Sequence, residues 1–234
     1  MTQLSHSYSS LKMYENCPKR YYHQKVTKEV TDSGSEATRY GSRVHRALEE
    51  RLLDDNELSQ ETIQYEALCK SIVRMKEHPL FDQLLLEERM TLTDNFTPTD
   101  WWSDDAWLRS ILDVLVLFED KAIVMDWKTG KRRPDFTQLE MFALQVFAHF
   151  PHIQTVITSF VWLKDMKQDK REFCRDLSGE MQGHLNGRIE RINLSLKNDD
   201  FPAKPSGLCR WCPCYEWCEY CLLYTSDAAD ERHC

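Results

Sequence analysis

Apolar side chains recur along this chain with two different periods, and the change of period predicts its elements. In residues 36–53 they return every three to four positions, which is the spacing of an amphipathic helix. A second helix is predicted from about residue 60 to residue 76. Residues 84–92, 107–118 and 122–128 are instead dense in β-branched and apolar residues and are separated by polar turns, so they predict three consecutive strands.

The second half of the chain continues the pattern. Residues 134–150 carry a stripe of apolar side chains that predicts a buried helix. Residues 155–163 are apolar at successive positions, which is typical of a strand buried on both faces. Residues 170–176 predict an edge strand and 181–196 a closing helix, while Pro18 predicts a break between two short helices. This order predicts a mixed α/β fold with the sheet as its middle layer.

Composition narrows the class of protein. The chain has 234 residues, of which 41% are hydrophobic, so it can bury a core as one large domain or two small ones. No run of about 20 apolar residues and no signal peptide is visible, so a cytoplasmic location is expected. In such a reducing compartment nine cysteines indicate metal or cluster ligation. The net charge of −8 argues against coating nucleic acid by bulk charge but leaves room for a local basic groove.

Candidate chemistry begins with acidic residues in the predicted strands. Asp113 interrupts the apolar run 111–116, and a buried charge is costly unless it is paired or bound to a metal. Asp126 and Lys128 are two residues apart, so on a strand they project from the same face. If the strands pair, the two aspartates approach and repel, which favours a divalent cation such as Mg²⁺ or Mn²⁺. For Asp126 and Lys128 alone, a buried ion pair is the alternative interpretation.

These residues resemble a known signature. Asp113, twelve residues and then Asp126-x-Lys128 resemble the PD-(D/E)xK nuclease motif in the form used by RecB-like nucleases. Residues 126–130 resemble that family's D-[YW]-K-T-G motif, and Gln138 lies where its Q-L-x-x-Y-A helix begins. The segment from Gly41 to His45 is similar to the family's G-x-x-x-H helix, whose histidine is a metal ligand.

The sequence departs from the family at two places. Ser110 occupies a position that is usually glycine, and the first acidic residue before the strands is open between Glu87 and Glu88. Neither departure removes a catalytic group.

The resemblance implies a restriction-endonuclease-like core, a central mixed sheet flanked by helices in the order αβββαβ. It implies the catalytic residues Asp113, Asp126, Lys128 and Gln138. It implies metal ligation by His45, Asp113, Asp126 and the Trp127 carbonyl.

The expected activity is hydrolysis of DNA phosphodiesters by Mg²⁺- or Mn²⁺-activated water, as an exonuclease on single-stranded or frayed ends. The expected context is recombination, repair or CRISPR adaptation, with DNA and the proteins of those processes as partners. No P-loop motif occurs, so a stand-alone nuclease module without ATP is expected. The alternatives are a weak or inactive iron–sulfur DNA-binding subunit, and a zinc-stapled interaction module in which the acid–lysine pattern is accidental.

Basic residues near the motifs could supply a positive track for the phosphate backbone. Taken singly, each is more typical of a solvated face. The candidates are Arg39, Arg43, Lys131, Arg132 and Arg133.

Cysteines mark a second site. Cys17 near the start and Cys209, Cys212 and Cys218 near the end resemble the iron–sulfur branch of the same superfamily, which includes CRISPR-adaptation nucleases and the AddB nuclease domain. The resemblance implies a four-cysteine cage around a [4Fe–4S] cluster with a mainly structural role. Zinc is the alternative occupant, and a ligand set that includes Cys214 stays open.

The predicted organisation follows from these motifs. Residues 1–35 form an N-terminal segment with the first cluster cysteine, 36–200 the nuclease core and 201–220 the cysteine segment. Residues 221–234 resemble a translated sequencing adapter and share no pattern with the rest, so they are kept out of the fold prediction.

Overall fold

A five-stranded sheet organises the chain, in a computed structural model that describes residues 4–220. The strands lie side by side in chain order, and all neighbours are antiparallel except β3 and β4, which are parallel. This arrangement confirms the mixed α/β fold with a restriction-endonuclease-like order of elements. The strands are β1 (Phe81–Leu92), β2 (Leu108–Phe118), β3 (Lys121–Lys128), β4 (Thr155–Trp162) and β5 (Lys167–Cys174).

Six α-helices accompany the sheet within the described residues, and polar caps fix several of their starts. Ser7 forms a capping box, and the Ser35 and Asp135 side chains accept the amides of Thr38 and Thr137. The helices are α1 (Tyr8–Asn16), α2 (Pro18–Tyr21), α3 (Glu36–Asp54), α4 (Glu66–Val73), α5 (Phe136–His149) and α6 (Ser178–Asn198).

The helix expected over residues 60–76 is shorter than its pattern suggested. Only α4 is α-helical, and 3₁₀ turns at Ile63–Tyr65 and Arg74–Glu77 flank it. No side-chain hydrogen bond caps the start of α4, so the chain enters it through the tighter turn.

Alternation along β3 decides which side chains reach which helix. Met125 and Trp127 belong to the core that buries Val44 and Leu48 of α3. Asp126 lies between them and therefore points to the opposite face, where α5 packs on the sheet and supplies Gln138. The parallel connection from β3 to β4 through α5 thus places a polar helix residue beside a strand carboxylate.

The chain divides into two compact units. The sheet unit comprises residues 34–185, with residues 4–5, and contains all five strands. The cysteine unit comprises residues 6–33 and 186–220 of the described chain, so α6 runs from one unit into the other. The predicted domain boundaries stay predictions, and the predicted adapter-like tail lies outside the described residues.

Contacts between the start and the end of the chain hold the cysteine unit together. The Tyr14 hydroxyl donates to the Arg191 carbonyl at 2.8 Å. The Arg188 Nε donates to the Glu15 carboxylate at 2.6 Å, and the Lys204 ammonium donates to the Glu15 carbonyl at 2.7 Å. Across residues 4–220, no helix is both long enough and apolar enough to pass through a membrane.

Candidate active site

The register of β2 and β3 brings the two predicted aspartates to one place. The pairing ends at Val114 and Met125, so the next residues in register, Asp113 and Asp126, lie where the ladder stops. The Trp127 amide donates to Asp113 Oδ2 at 2.6 Å. Both carboxylates are more than nine-tenths buried. Two buried carboxylates at the end of a ladder form a site that strongly favours positive charge.

His45 reaches this site from α3. Its Nδ1 lies 3.2 Å from Asp113 Oδ1, and its Nε2 lies 3.1 Å from the Trp127 carbonyl oxygen. Both partners are acceptors, so a ring that bonds both carries a proton on each nitrogen. Burial opposes that charge, but the hydrogen bond and charge of Asp113, together with Asp126 and Glu87, raise the pKa of His45. A cation bound at Nε2 would take the place of one proton.

Gly41 allows α3 to approach the end of β3. A Cβ atom at this position would lie 3.1 Å from Thr129 Oγ1, which is tighter than ordinary van der Waals contact. Gly41 lies four residues before His45, about one helical turn. The glycine therefore sets how closely the histidine comes to the Trp127 carbonyl.

Glu87 completes an acidic group with His45 and Asp113. One ligand atom from each of the three residues lies within 4.8 Å of the other two. Glu87 has a φ of 47°, in the left-handed region that a glutamate on a strand rarely adopts. Burial and then the charge of Asp113 raise the pKa of Glu87 to about 7. Glu88 instead places its charge near His149, so the structure separates two residues that the sequence left equivalent.

Asp126 belongs to a neighbouring set of contacts. Its Oδ1 accepts from Gln138 Nε2 at 3.1 Å, and its Oδ2 forms an ion pair with Lys128 Nζ at 2.6 Å. Burial raises the pKa of Asp126; the Lys128 ammonium opposes this rise and the Asp113 charge adds to it. The ammonium also lies 5.3 Å from the centre of the Phe160 ring. The structure thus brings Asp126, Lys128 and Gln138 together.

The donor set fits a hard divalent cation. Carboxylates, a carbonyl oxygen and an imidazole are ligands that Mg²⁺ and Mn²⁺ accept. Among residues 4–220, the His45–Glu87–Asp113 group is the one in which three or more such side chains come this close. Asp126, expected from the resemblance to be a ligand, lies outside that group. Glu87 was the residue that sequence reasoning left unresolved, since only the backbone turn at that position distinguishes it from Glu88.

Of the five basic residues that the sequence suggests for DNA binding, three form ion pairs within the described residues and two do not. Glu36 pairs with Arg39 at 3.1 Å and with Arg43 at 3.3 Å. Asp169 on β5 accepts from Arg132 Nε at 2.8 Å. Lys131 and Arg133 are exposed, and neither forms an ion pair within residues 4–220.

A cavity of about 80 Å³ in the cysteine unit is lined by thiols. The Lys204 amide lies 3.5 Å from Cys17 Sγ, and the Ser206 amide lies 3.2 Å from Cys209 Sγ; both donate to sulfur. Cys214, by contrast, is a donor itself, with its Sγ 3.9 Å from the Arg20 carbonyl. The lining thiols are Cys17, Cys209, Cys212, Cys214 and Cys218.

The four-cysteine cage expected from the sequence is not confirmed, because the described thiols do not come close enough together to hold a single ion. No three thiol sulfurs within residues 4–220 all lie within 4.8 Å of one another. Four thiolates around zinc, each about 2.3 Å from the ion, would lie closer than that. The described cysteines are all free thiols. The thiols therefore share one cavity without converging on a single point.

Comparison with known proteins identifies the family. The family model of the PD-(D/E)XK nuclease superfamily matches residues 5–219, so the chain belongs to this superfamily of nucleases. A comparison with curated proteins gives no match.

Two solved structures match most of this chain. A protein from Eubacterium rectale described as "Putative exonuclease" is 15% identical, with a TM-score of 0.48, over 90% of this chain and 86% of that chain. The protein SSO0001 is 13% identical, with a TM-score of 0.42, over 94% of this chain and 87% of that chain.

Proposed function

We propose that this protein is a Mg²⁺- or Mn²⁺-dependent DNA nuclease. The observation that carries the proposal is the convergence of His45, Glu87 and Asp113 beside the Asp126–Lys128 ion pair. A divalent cation, when bound, polarises a phosphoryl oxygen and lowers the pKa of its water. The His45, Glu87 and Asp113 side chains would then bind the cation, and the Asp126–Lys128 pair would take part in proton transfer.

The protein's own residues supply orientation. The Trp127 amide fixes Asp113, and Gln138 fixes Asp126, so neither carboxylate turns freely. The Lys128 ammonium, held against Asp126, is the group placed to orient the attacking water and to stabilise negative charge in the transition state. The exposed Lys131 and Arg133 follow the motif closely in the sequence, and their positive charges bind the phosphate backbone of the DNA.

For the finer role we propose exonuclease action on single-stranded or frayed ends, in recombination, repair or CRISPR adaptation. The resemblance of residues 126–130 and Gln138 to RecB-like motifs supports this choice. We propose a cytoplasmic location in a bacterial or phage-infected cell, and the free thiols of the described chain are compatible with it.

In the cysteine unit we propose a [4Fe–4S] cluster held by Cys17, Cys209, Cys212 and Cys218. Amide donors to two of these sulfurs support thiolate ligation, since such bonds stabilise charge on sulfur. A cluster sets its ligands further apart than a single ion does, which suits thiols that line one cavity. Cys214 donates to a carbonyl and is left out of the ligand set.

Cleavage of labelled single-stranded DNA with Mg²⁺ or Mn²⁺ tests the nuclease. We expect Asp126→Asn and Lys128→Ala to lower the rate at least about 100-fold, because both remove groups that act in the chemical step. Asp120→Asn and Lys121→Ala change the same residue types at the other end of β3 and keep the parent rate. Equal rates for all four variants would show that the active site is elsewhere.

For the cluster, a brown anaerobic preparation containing iron and sulfide is expected, and a colourless zinc-loaded one contradicts it.

A further inference from the structure

A second cavity, of about 390 Å³, opens at the carboxyl end of the parallel strands β3 and β4. Thr129 follows β3 directly, and Leu163 and Lys164 follow β4; all three line the cavity. Ligands of α/β proteins bind outside the carboxyl ends of parallel strands. The volume falls within the range of about 300–1,000 Å³ that small-molecule sites occupy. This space, here called the β3–β4 cavity, therefore has the position and the size of a ligand site.

The β3–β4 cavity borders the proposed active site. Thr129 is the next residue after Lys128, and the Leu163 amide donates to the Lys128 carbonyl at 2.9 Å. Tyr40 lines the cavity and immediately precedes Gly41, the residue that lets α3 approach Thr129. Thr129 therefore connects the cavity to the end of β3, and Tyr40 connects it to the helix that carries His45.

The lining offers three kinds of recognition. Tyr40 provides an aromatic face, and the guanidinium of Arg43 lies 5.8 Å from its centre. The exposed Gln64 offers both an amide donor and an acceptor, and the exposed Lys164 an ammonium. Aromatic faces stack on bases, amides bond base edges, and ammonium groups pair with phosphates.

Charge separates this cavity from the larger cleft beside it. The cleft of about 690 Å³ along α3 is lined by Glu49, Glu50 and Glu87 as well as His45. Those carboxylates repel phosphate unless cations neutralise them. None of the described residues that line the β3–β4 cavity is acidic. The lining itself therefore adds no negative charge, and Lys164 adds a positive one.

We propose that the β3–β4 cavity is a nucleotide subsite, which takes the base next to the phosphodiester cut at Lys128. The inference rests on the proposed nuclease function and specifies how its substrate is held. Tyr40 stacks on the base, Gln64 bonds its edge, and Lys164 pairs with the neighbouring phosphate.

A cycle of protein and substrate changes tests the subsite. The substrates are one single-stranded oligonucleotide and versions of it in which a single nucleotide lacks its base. For the parent protein, we expect cleavage at the bond beside the abasic nucleotide to lose about tenfold in kcat/KM, as expected for one lost stacking contact. The double variant Gln64→Ala/Lys164→Ala, at two exposed positions, is expected to raise KM for the intact strand about tenfold and to shrink the abasic penalty.

The control is Lys121→Ala, which removes an exposed lysine at the opposite end of β3 and should leave KM and the abasic penalty unchanged. An abasic penalty of the same size in the double variant and the parent overturns the proposal. An equal KM rise in the control also overturns it.

Binding separates this proposal from the nuclease proposal. Fluorescence anisotropy of a labelled single strand, with Ca²⁺ in place of Mg²⁺, reports affinity without requiring cleavage. The double variant should bind about tenfold more weakly than the parent, and Lys121→Ala should bind as the parent does. If the parent cleaves no DNA, the nuclease proposal fails and this measurement still decides the subsite. Equal dissociation constants for the double variant and the parent overturn it.

Discussion

The two regions with ligand chemistry hold their donor groups in different ways. In the sheet unit, Glu87 and Asp113 lie on the paired strands β1 and β2. His45 lies on α3, next to the fully buried Val44 and three residues before the fully buried Leu48. In the cysteine unit, the thiols lie within or at the ends of the short 3₁₀ turns Cys209–Trp211 and Tyr215–Trp217, and at the break between α1 and α2.

The difference indicates what each site depends on. A strand is fixed by its ladder and its core, whatever its polar side chains bind. A turn of three residues has few such contacts, so a ligand contributes much of its order. We therefore expect the sheet unit to fold without the proposed cation, and the cysteine unit to depend on the proposed cluster.

The largest effect is expected from removing a proposed cluster ligand. Cys209→Ser should abolish the visible absorption of the anaerobic protein and destabilise the cysteine unit by several kcal/mol, because metal-ligand bonds contribute directly to folding. Absorption spectra and hydrogen exchange over residues 186–220 measure the two effects. Cys174→Ser, at an exposed cysteine of the sheet unit, is the matched control. Equal bleaching in both variants would remove the distinction between the units.

The second-largest effect is expected from acid, which should lower the free energy of unfolding of the cysteine unit. Burial lowers the pKa of His6 to about 4, whereas the unfolded chain takes up that proton near pH 6.5. The free energy of unfolding is therefore highest above about pH 6.5, falls as the pH drops towards 4 and levels off below that pH. The total decrease is a few kcal/mol. Urea unfolding at several pH values, followed by exchange in residues 6–33, measures the slope. His6→Gln should flatten that slope, and an unchanged slope would assign it to other groups.

In the sheet unit, two adjacent glutamates provide an internal comparison. Glu87→Gln should weaken Mn²⁺ binding about 10–100-fold, since it removes a charged member of the acidic group. Glu88→Gln makes the same chemical change one residue away and should alter affinity less than about twofold. Titration calorimetry or the electron paramagnetic resonance of Mn²⁺ gives both constants. Similar losses would mean that the left-handed turn at Glu87 does not select the ligand.

The smallest effect concerns packing near the site. Gly41→Ala gains up to about 1 kcal/mol in helix propensity but meets Thr129 Oγ1, so the net change in stability should be below about 1 kcal/mol. Nuclease activity should nevertheless fall about tenfold, because His45 moves with α3. Gly183→Ala, where nothing lies within 4 Å, should stabilise the protein slightly and leave activity unchanged. Activity equal in both variants would show that the approach of α3 is not critical.

Much of the sheet could be predicted because its signals are local. The predicted strands 107–118, 122–128 and 155–163 lie within one residue of β2, β3 and β4 at each end. The juxtaposition of Asp126 and Lys128 follows from their spacing of two. The edge strand β5 begins three residues before its prediction, since its exposed residues carry little apolar pattern.

Other features depend on contacts that no local pattern encodes. Arg132 was a candidate for DNA binding, but its partner Asp169 comes from a strand 37 residues later. Glu87 and Glu88 have the same chemistry, and only the backbone conformation at Glu87 separates them. The spacing of the thiols around their cavity depends equally on how distant turns pack.

Asp169 also accepts the Trp162 indole N–H at 2.7 Å, so one partly buried carboxylate anchors both the strand edge and Arg132. In the thermodynamics of DNA binding, each freely available cation releases about 0.7 of a counterion from a single strand. Because the Arg132 charge is already compensated, the segment after the motif contributes two such cations, Lys131 and Arg133. We therefore expect the proposed binding of this segment to single strands to depend less steeply on salt than its three consecutive basic residues imply.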